Sequence, residues 1–148
     1  MAAYTVSQAA EQIGLTAPTL RFYEKEGLLP FVERSSSGIR VFREADLDWL
    51  RLIACLKATG MPIKDIRQYI DWSLEGDATL EKRRQMFYER RRAVEGQIAE
   101  LKKTLATVNY KCWFYDAAVE AGSAETVQRI PLDQMPEAIR QYKKSQAK

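Results

Sequence analysis

The sequence predicts a mainly α fold: a winged helix-turn-helix domain followed by one long helix that needs a partner. Three observations predict it. Two short amphipathic segments meet at Gly14. A β-type stretch folded around a Ser/Gly turn follows directly, as a wing would. Residues 79–115 then hold one helical pattern without proline.

Thr5-Val6-Ser7-Gln8 reads as a capping box, in which Thr5 accepts from the amide three residues on and Gln8 reaches back. Val6, Ala9, Ala10 and Ile13 follow at helical spacing, and Gly14 supplies the left-handed residue that ends the helix. Thr16 caps a second helix with Pro18 in its first turn, where a missing amide costs little. Leu20 and Tyr23 face inward, Arg21 and Phe22 lie between them, and Gly27 closes the helix. A helix pair with a Gly-containing turn is the helix-turn-helix pattern. Leu28–Val32 and Ile39–Phe42 flank the polar residues 33–38 and predict a hairpin.

Glu44–Thr59 predicts a third helix, with Leu47, Trp49, Leu50, Leu52, Ile53 and Leu56 on a broad apolar face. Gly60 stops it and Pro62 starts the next. Ile63, Ile66, Tyr69, Ile70 and Leu74 mark a fourth helix that Gly76 ends. In residues 79–115, Val94, Leu101, Val108 and Tyr115 fall at heptad position d, with Ile98, Leu105 and Cys112 at a. Such a seam, about five heptads long, indicates a coiled coil. A helix of roughly 55 Å, at 1.5 Å per residue, is longer than a 75-residue domain is wide, so a second copy of the chain is the simplest partner. After Asp116 the pattern weakens: residues 116–148 read as a short tail, with Lys143–Lys148 as a frayed basic end.

Composition removes other functional classes. The 148 residues hold no histidine and two distant cysteines, Cys55 and Cys112. The commonest general base and metal ligand is therefore missing, and no disulfide framework is implied. No Gly-rich phosphate loop, CxxC pair or HExxH occurs, so no enzyme, cofactor or metal site is expected. No secretory signal or membrane span is read, and a cytoplasmic protein is expected. The net charge is +3, yet residues 1–75 carry 9 Lys/Arg against 10 Asp/Glu. DNA binding by that half requires its cations to gather on one face. Five of the nine, Arg21, Lys25, Arg34, Arg40 and Arg43, fall within residues 21–43.

Residues 1–75 resemble the MerR family of bacterial transcription regulators. The resemblance is carried by Tyr4-Thr5-Val6, Leu20-Arg21-Phe22-Tyr23-Glu24, Gly27-Leu28-Leu29-Pro30, Gly38-Ile39-Arg40-Val41-Phe42 and Thr59-Gly60-Met61-Pro62-Ile63-Lys64-Asp65-Ile66, in matching order and spacing. It implies a homodimer joined by an antiparallel coiled coil, with the second helix of each subunit in the major groove of double-stranded DNA and the wing on the flanking backbone. It further implies an inverted-repeat operator, RNA polymerase as a partner, and activation by distorting the promoter. Carried over residue by residue, Arg21 and Tyr23 match DNA contacts of the recognition helix, and Arg40 matches the wing arginine. Thr5, Thr16 and Thr19 match positions near phosphates. For Tyr23 the helical position beside Leu20 leaves a core role equally open.

The chain departs from metal-sensing relatives, since no cysteine follows Cys112. The segment Leu52–Met61 looks like the aldehyde- and thiol-stress-responsive branch, which makes Cys55 the candidate sensor thiol and a small reactive aldehyde or oxidant the stimulus. Cys55 lies about 120° from the centre of the Trp49/Leu52/Leu56 face, beside Arg51, whose charge would favour a thiolate. Packing at the core edge is the other reading. Cys112 reads as a coiled-coil packing residue, and antiparallel pairing leaves an intersubunit Cys55–Cys112 disulfide open. Two rival functions remain at this level. A winged-helix architectural DNA-binding protein would lack the long helix, and a coiled-coil adaptor would not need Arg21 or Arg40.

Overall fold

A computed structural model of the chain describes residues 2–147. Met1 and Lys148, the outer ends of the N-terminal stretch and of the basic C-terminal stretch, lie outside the described residues. The chain forms two compact units that divide between Ala93 and Val94.

In the first unit, strand β1 (Ala3–Tyr4) leads into helix α1 (Val6–Gln12). The capping box forms as read: Gln8 N donates to Thr5 Oγ1 at 3.2 Å, and Thr5 N donates to Gln8 Oε1 at 2.9 Å. Gly14 turns the chain at φ +70°, a conformation that costs glycine little. Helix α2 (Ala17–Lys25) starts under Thr16, which accepts from Thr19 N at 3.3 Å.

The wing consists of β2 (Glu33–Arg34) and β3 (Arg40–Arg43), and β3 is central in a sheet of order β1-β3-β2. Antiparallel pairing sets Tyr4 opposite Phe42 and Arg34 opposite Arg40. This corrects the expected hairpin. Leu28–Val32 is not its first arm, because Leu28, Leu29 and Val32 are buried in the core and pull that stretch into a turn.

Helices α3 (Glu44–Ala58) and α4 (Ile63–Glu75) complete this core. Leu20, Phe42, Leu47, Leu50, Ile53, Ile66 and Ile70 are all at most 1% exposed. Gly76 ends α4 at φ +92°, and a single 3-10 turn (Asp77–Thr79) leads into helix α5 (Leu80–Ala121). The start of α5 packs on the same core through Met86, and Phe87 meets Tyr69 edge-on at 5.0 Å. The first compact unit therefore reaches Ala93, well past the expected boundary at residue 75.

The second unit contains the rest of α5, which continues to Ala121, six residues beyond the expected end. The segment beyond it is folded. Helix α6 (Ala124–Gln128), a 3-10 turn (Leu132–Gln134) and helix α7 (Glu137–Gln146) follow. Val127 packs with Phe114 and Ala118 of α5, and Tyr142 stacks on Tyr110 at 5.1 Å. Lys143 Nζ sits 4.6 Å above the same Tyr110 ring. Residues 143–146 thus belong to a docked helix, which corrects the expected frayed end.

Candidate nucleic-acid interface

Helix α2 has one buried side and one bare side. Leu20 and Tyr23 fix the buried side, while Arg21, Phe22 and Lys25 are exposed. Arg21 and Lys25 are four residues apart, so they share a helix face. Among the described residues neither enters an ion pair. The other three cations of the cluster differ. Arg34 and Arg40 both bond Glu24, and Arg43 lies 3.6 Å from Glu33. The two cations of α2 thus have no carboxylate partner, while Glu24 and Glu33 offset two of the three charges on Arg34, Arg40 and Arg43.

Thr5 and Thr16 are exposed at the helix starts they cap, and the Thr16 and Thr19 hydroxyls lie 2.9 Å apart. Each capping oxygen accepts from an amide. The Thr5 hydroxyl hydrogen stays available to an outside acceptor such as a phosphate oxygen.

Tyr23 does not share this face. At 2% exposure its ring belongs to the core, and burial pushes its hydroxyl above the ordinary tyrosine pKa. Of the two roles open at the sequence level, the geometry supports packing for the ring, and a contact of the hydroxyl with DNA stays a proposal. Arg40 is also drawn inward. Its guanidinium bonds Glu24 and donates from Nη1 to Val32 O at 2.9 Å.

Sequence reasoning missed Lys57. Its Nζ lies 4.8 Å from the Phe22 ring, which sets one more cation at the flank of α2. It also missed Arg67, which bonds Glu26 O at 2.8 Å and fixes the end of α2 from α4. Neither signal is visible without knowing which helices meet.

Residues 4–72 match the profile described as MerR HTH family regulatory protein, and residues 47–109 match the one described as MerR, DNA binding. An HTH-type transcriptional regulator of Haemophilus influenzae is 48% identical over 134 residues, which are 90% of this chain and 97% of that protein. The chain belongs to the MerR family. It is a DNA-binding transcription regulator, and membership in this family sets it apart from enzymes. The crystal structure of HiNmlR, described as a MerR family regulator lacking the sensor domain and bound to promoter DNA, is 47% identical with a TM-score of 0.78. That match covers 84% of this chain and 99% of the other. The regulator AdhR of Bacillus subtilis is 43% identical over 91 residues, covering 61% of this chain and 65% of that protein.

Cys55 is exposed on α3, which corrects the reading of a thiol packed at the core edge. Arg51, the expected activator, donates from Nη1 to Asp48 Oδ1 at 2.8 Å, so a carboxylate already engages its charge. Cys112 is also free and exposed. Among the described residues no group of three or more His, Cys, Asp or Glu is placed to hold a metal, and no helix is long and apolar enough to cross a membrane.

Proposed function

We propose that this MerR-family regulator binds an inverted repeat as a homodimer, reads it with α2, and controls a promoter from there. The observation that carries the reading is the exposed, unpaired Arg21/Lys25 face of α2. Arg21 is assigned to a base edge or phosphate, and Thr5, Thr16 and Thr19 to flanking phosphates. Promoter distortion of the family kind, with RNA polymerase bound alongside, is the proposed route to transcription, in the cytoplasm.

The dimer reading is supported by how α5 is covered. Within the second unit the chain's own C-terminal segment packs on Tyr110, Trp113, Phe114 and Ala118. The a/d seam is left bare: Ile98, Leu101, Leu105, Val108 and Tyr115 are 47–68% exposed. Apolar exposure at successive seam positions fits a helix of a second copy.

The switch is assigned to Cys55. Its exposed thiol gives its proton to solvent as the sulfur adds to an aldehyde carbonyl carbon, the carbonyl π electrons move to oxygen, and that oxygen takes a proton back from solvent. The product is a hemithioacetal, with no oxidant required.

Selection of bound sites from a random duplex pool, under reducing conditions, tests the reading. Enrichment of an inverted repeat with fixed spacing is expected. Salt-sensitive binding without any enriched sequence would reduce the protein to a nonspecific phosphate binder and favour the architectural reading.

A further inference from the structure

One carboxylate ties the wing to the recognition helix. Glu24 lies on α2 one turn beyond Arg21, and its Oε1 accepts from Arg34 Nη2 at 2.7 Å and from Arg40 Nη2. The two arginines stand opposite each other on β2 and β3. Each spends its other terminal nitrogen on backbone, Arg34 within the wing and Arg40 on the residue just before it. Arg34 Nη1 donates to Gly38 O at 2.6 Å, and Arg40 Nη1 donates to Val32 O at 2.9 Å. The Glu24 and Arg40 side chains are only 28% and 22% exposed. Arg40 Nε is buried without a hydrogen-bond partner, a desolvation cost accepted where the other two nitrogens are held.

An isolated surface ion pair contributes little, but a half-buried carboxylate shared by two guanidiniums that also grip the backbone forms a network. Charge alone gives no reason for it. A carboxylate on a helix that approaches phosphates repels them, so its removal should tighten DNA binding.

We infer that Glu24 is a positioning residue that locks the wing onto α2, so that helix and wing meet DNA as one preformed unit. Arg34, at the surface, and Arg40, largely buried, then hold Glu24 and the backbone, and the ordering of the wing is complete before DNA arrives. The inference rests on DNA binding by this face, which the wild-type protein tests by itself.

The experiment measures fluorescence anisotropy of the full chain on a duplex carrying the selected inverted repeat, across a salt series. Glu24→Gln is expected to raise Kd about ten-fold, the scale of losing a charge-assisted hydrogen bond, with the log–log salt slope of the wild type. Equal or tighter binding with a steeper slope would overturn the inference, since the freed arginines would then be phosphate ligands. The exchanged pair Glu24→Arg with Arg40→Glu keeps net charge and rebuilds the contact. Binding tighter than that of either single variant supports the lock. Binding no tighter than Arg40→Glu alone means that the Arg40 cation itself touches DNA, and the lock is wrong. If circular dichroism finds Glu24→Gln unfolded at the assay temperature, the exchanged pair decides. Wild type that fails to bind the duplex counts against the DNA reading of the face and leaves the lock without a purpose.

Discussion

At the scale of the residue, the proposed reading of DNA turns on Arg21. It is exposed, without an ion pair, and displayed on α2 by the burial of its neighbours Leu20 and Tyr23. Arg21→Ala is expected to weaken binding by roughly 1–3 kcal/mol and to relax preference at one base pair of each half-site. Affinities for single-base variants of the site check this: a loss equal for every sequence assigns Arg21 to phosphate instead. Cys55→Ser is expected to leave DNA affinity unchanged and to remove the aldehyde response. Intact-protein mass and promoter output check it, and a response that survives in the mutant removes Cys55 from the switch. Arg21 was legible in the sequence because helical periodicity says which residues face out. The inward draw of Arg40 was not, because it depends on Glu24 sixteen positions earlier and on a hairpin register that no local pattern fixes.

At the level of elements, the passage from α4 to α5 hangs on Thr79, the one buried polar residue among those described. Its hydroxyl donates to Trp72 O at 2.5 Å and lies 2.9 Å from Gly76 O, while Arg83 Nε donates to Thr79 Oγ1 at 3.0 Å. Thr79→Val keeps the shape and orphans these groups, so unfolding in urea is expected to show a loss of about 1–3 kcal/mol at unchanged m. A loss within error would mean that water replaces the hydroxyl. The helices around this junction were readable because capping residues, Gly14 and Gly76 punctuate a clear 3.6-residue period. Of the strands only β3 was, as the arm Ile39–Phe42. β1 is two residues long, and the apolar run Leu28–Val32 mimics a strand while it fills the core. The helices after Ala121 escaped for a related reason. Their few apolar residues, such as Val127 and Ile139, carry too little periodicity to read until the surface they bury against is known.

For the whole molecule, the proposed dimer makes the seam of α5 the element that brings two copies to the DNA. A dimer joins two recognition helices to two half-sites, and the second contact becomes intramolecular. Leu101 and Leu105, 68% and 55% exposed, sit at adjacent d and a positions in the middle of the bare seam. Leu101→Glu with Leu105→Glu would set carboxylates against an apolar partner face, where their desolvation is uncompensated. The first unit has its own core and should stay folded, because neither residue contributes to it. The expected product is a folded monomer whose affinity for the full inverted repeat drops about 10²- to 10⁴-fold, toward that for a single half-site. Sedimentation velocity reads the mass, and anisotropy on full-site and half-site duplexes reads the coupling. A variant that sediments as a dimer would place the interface elsewhere on the chain. A monomer that still separates full site from half site by the wild-type ratio would show that DNA, and not α5, brings the two copies together.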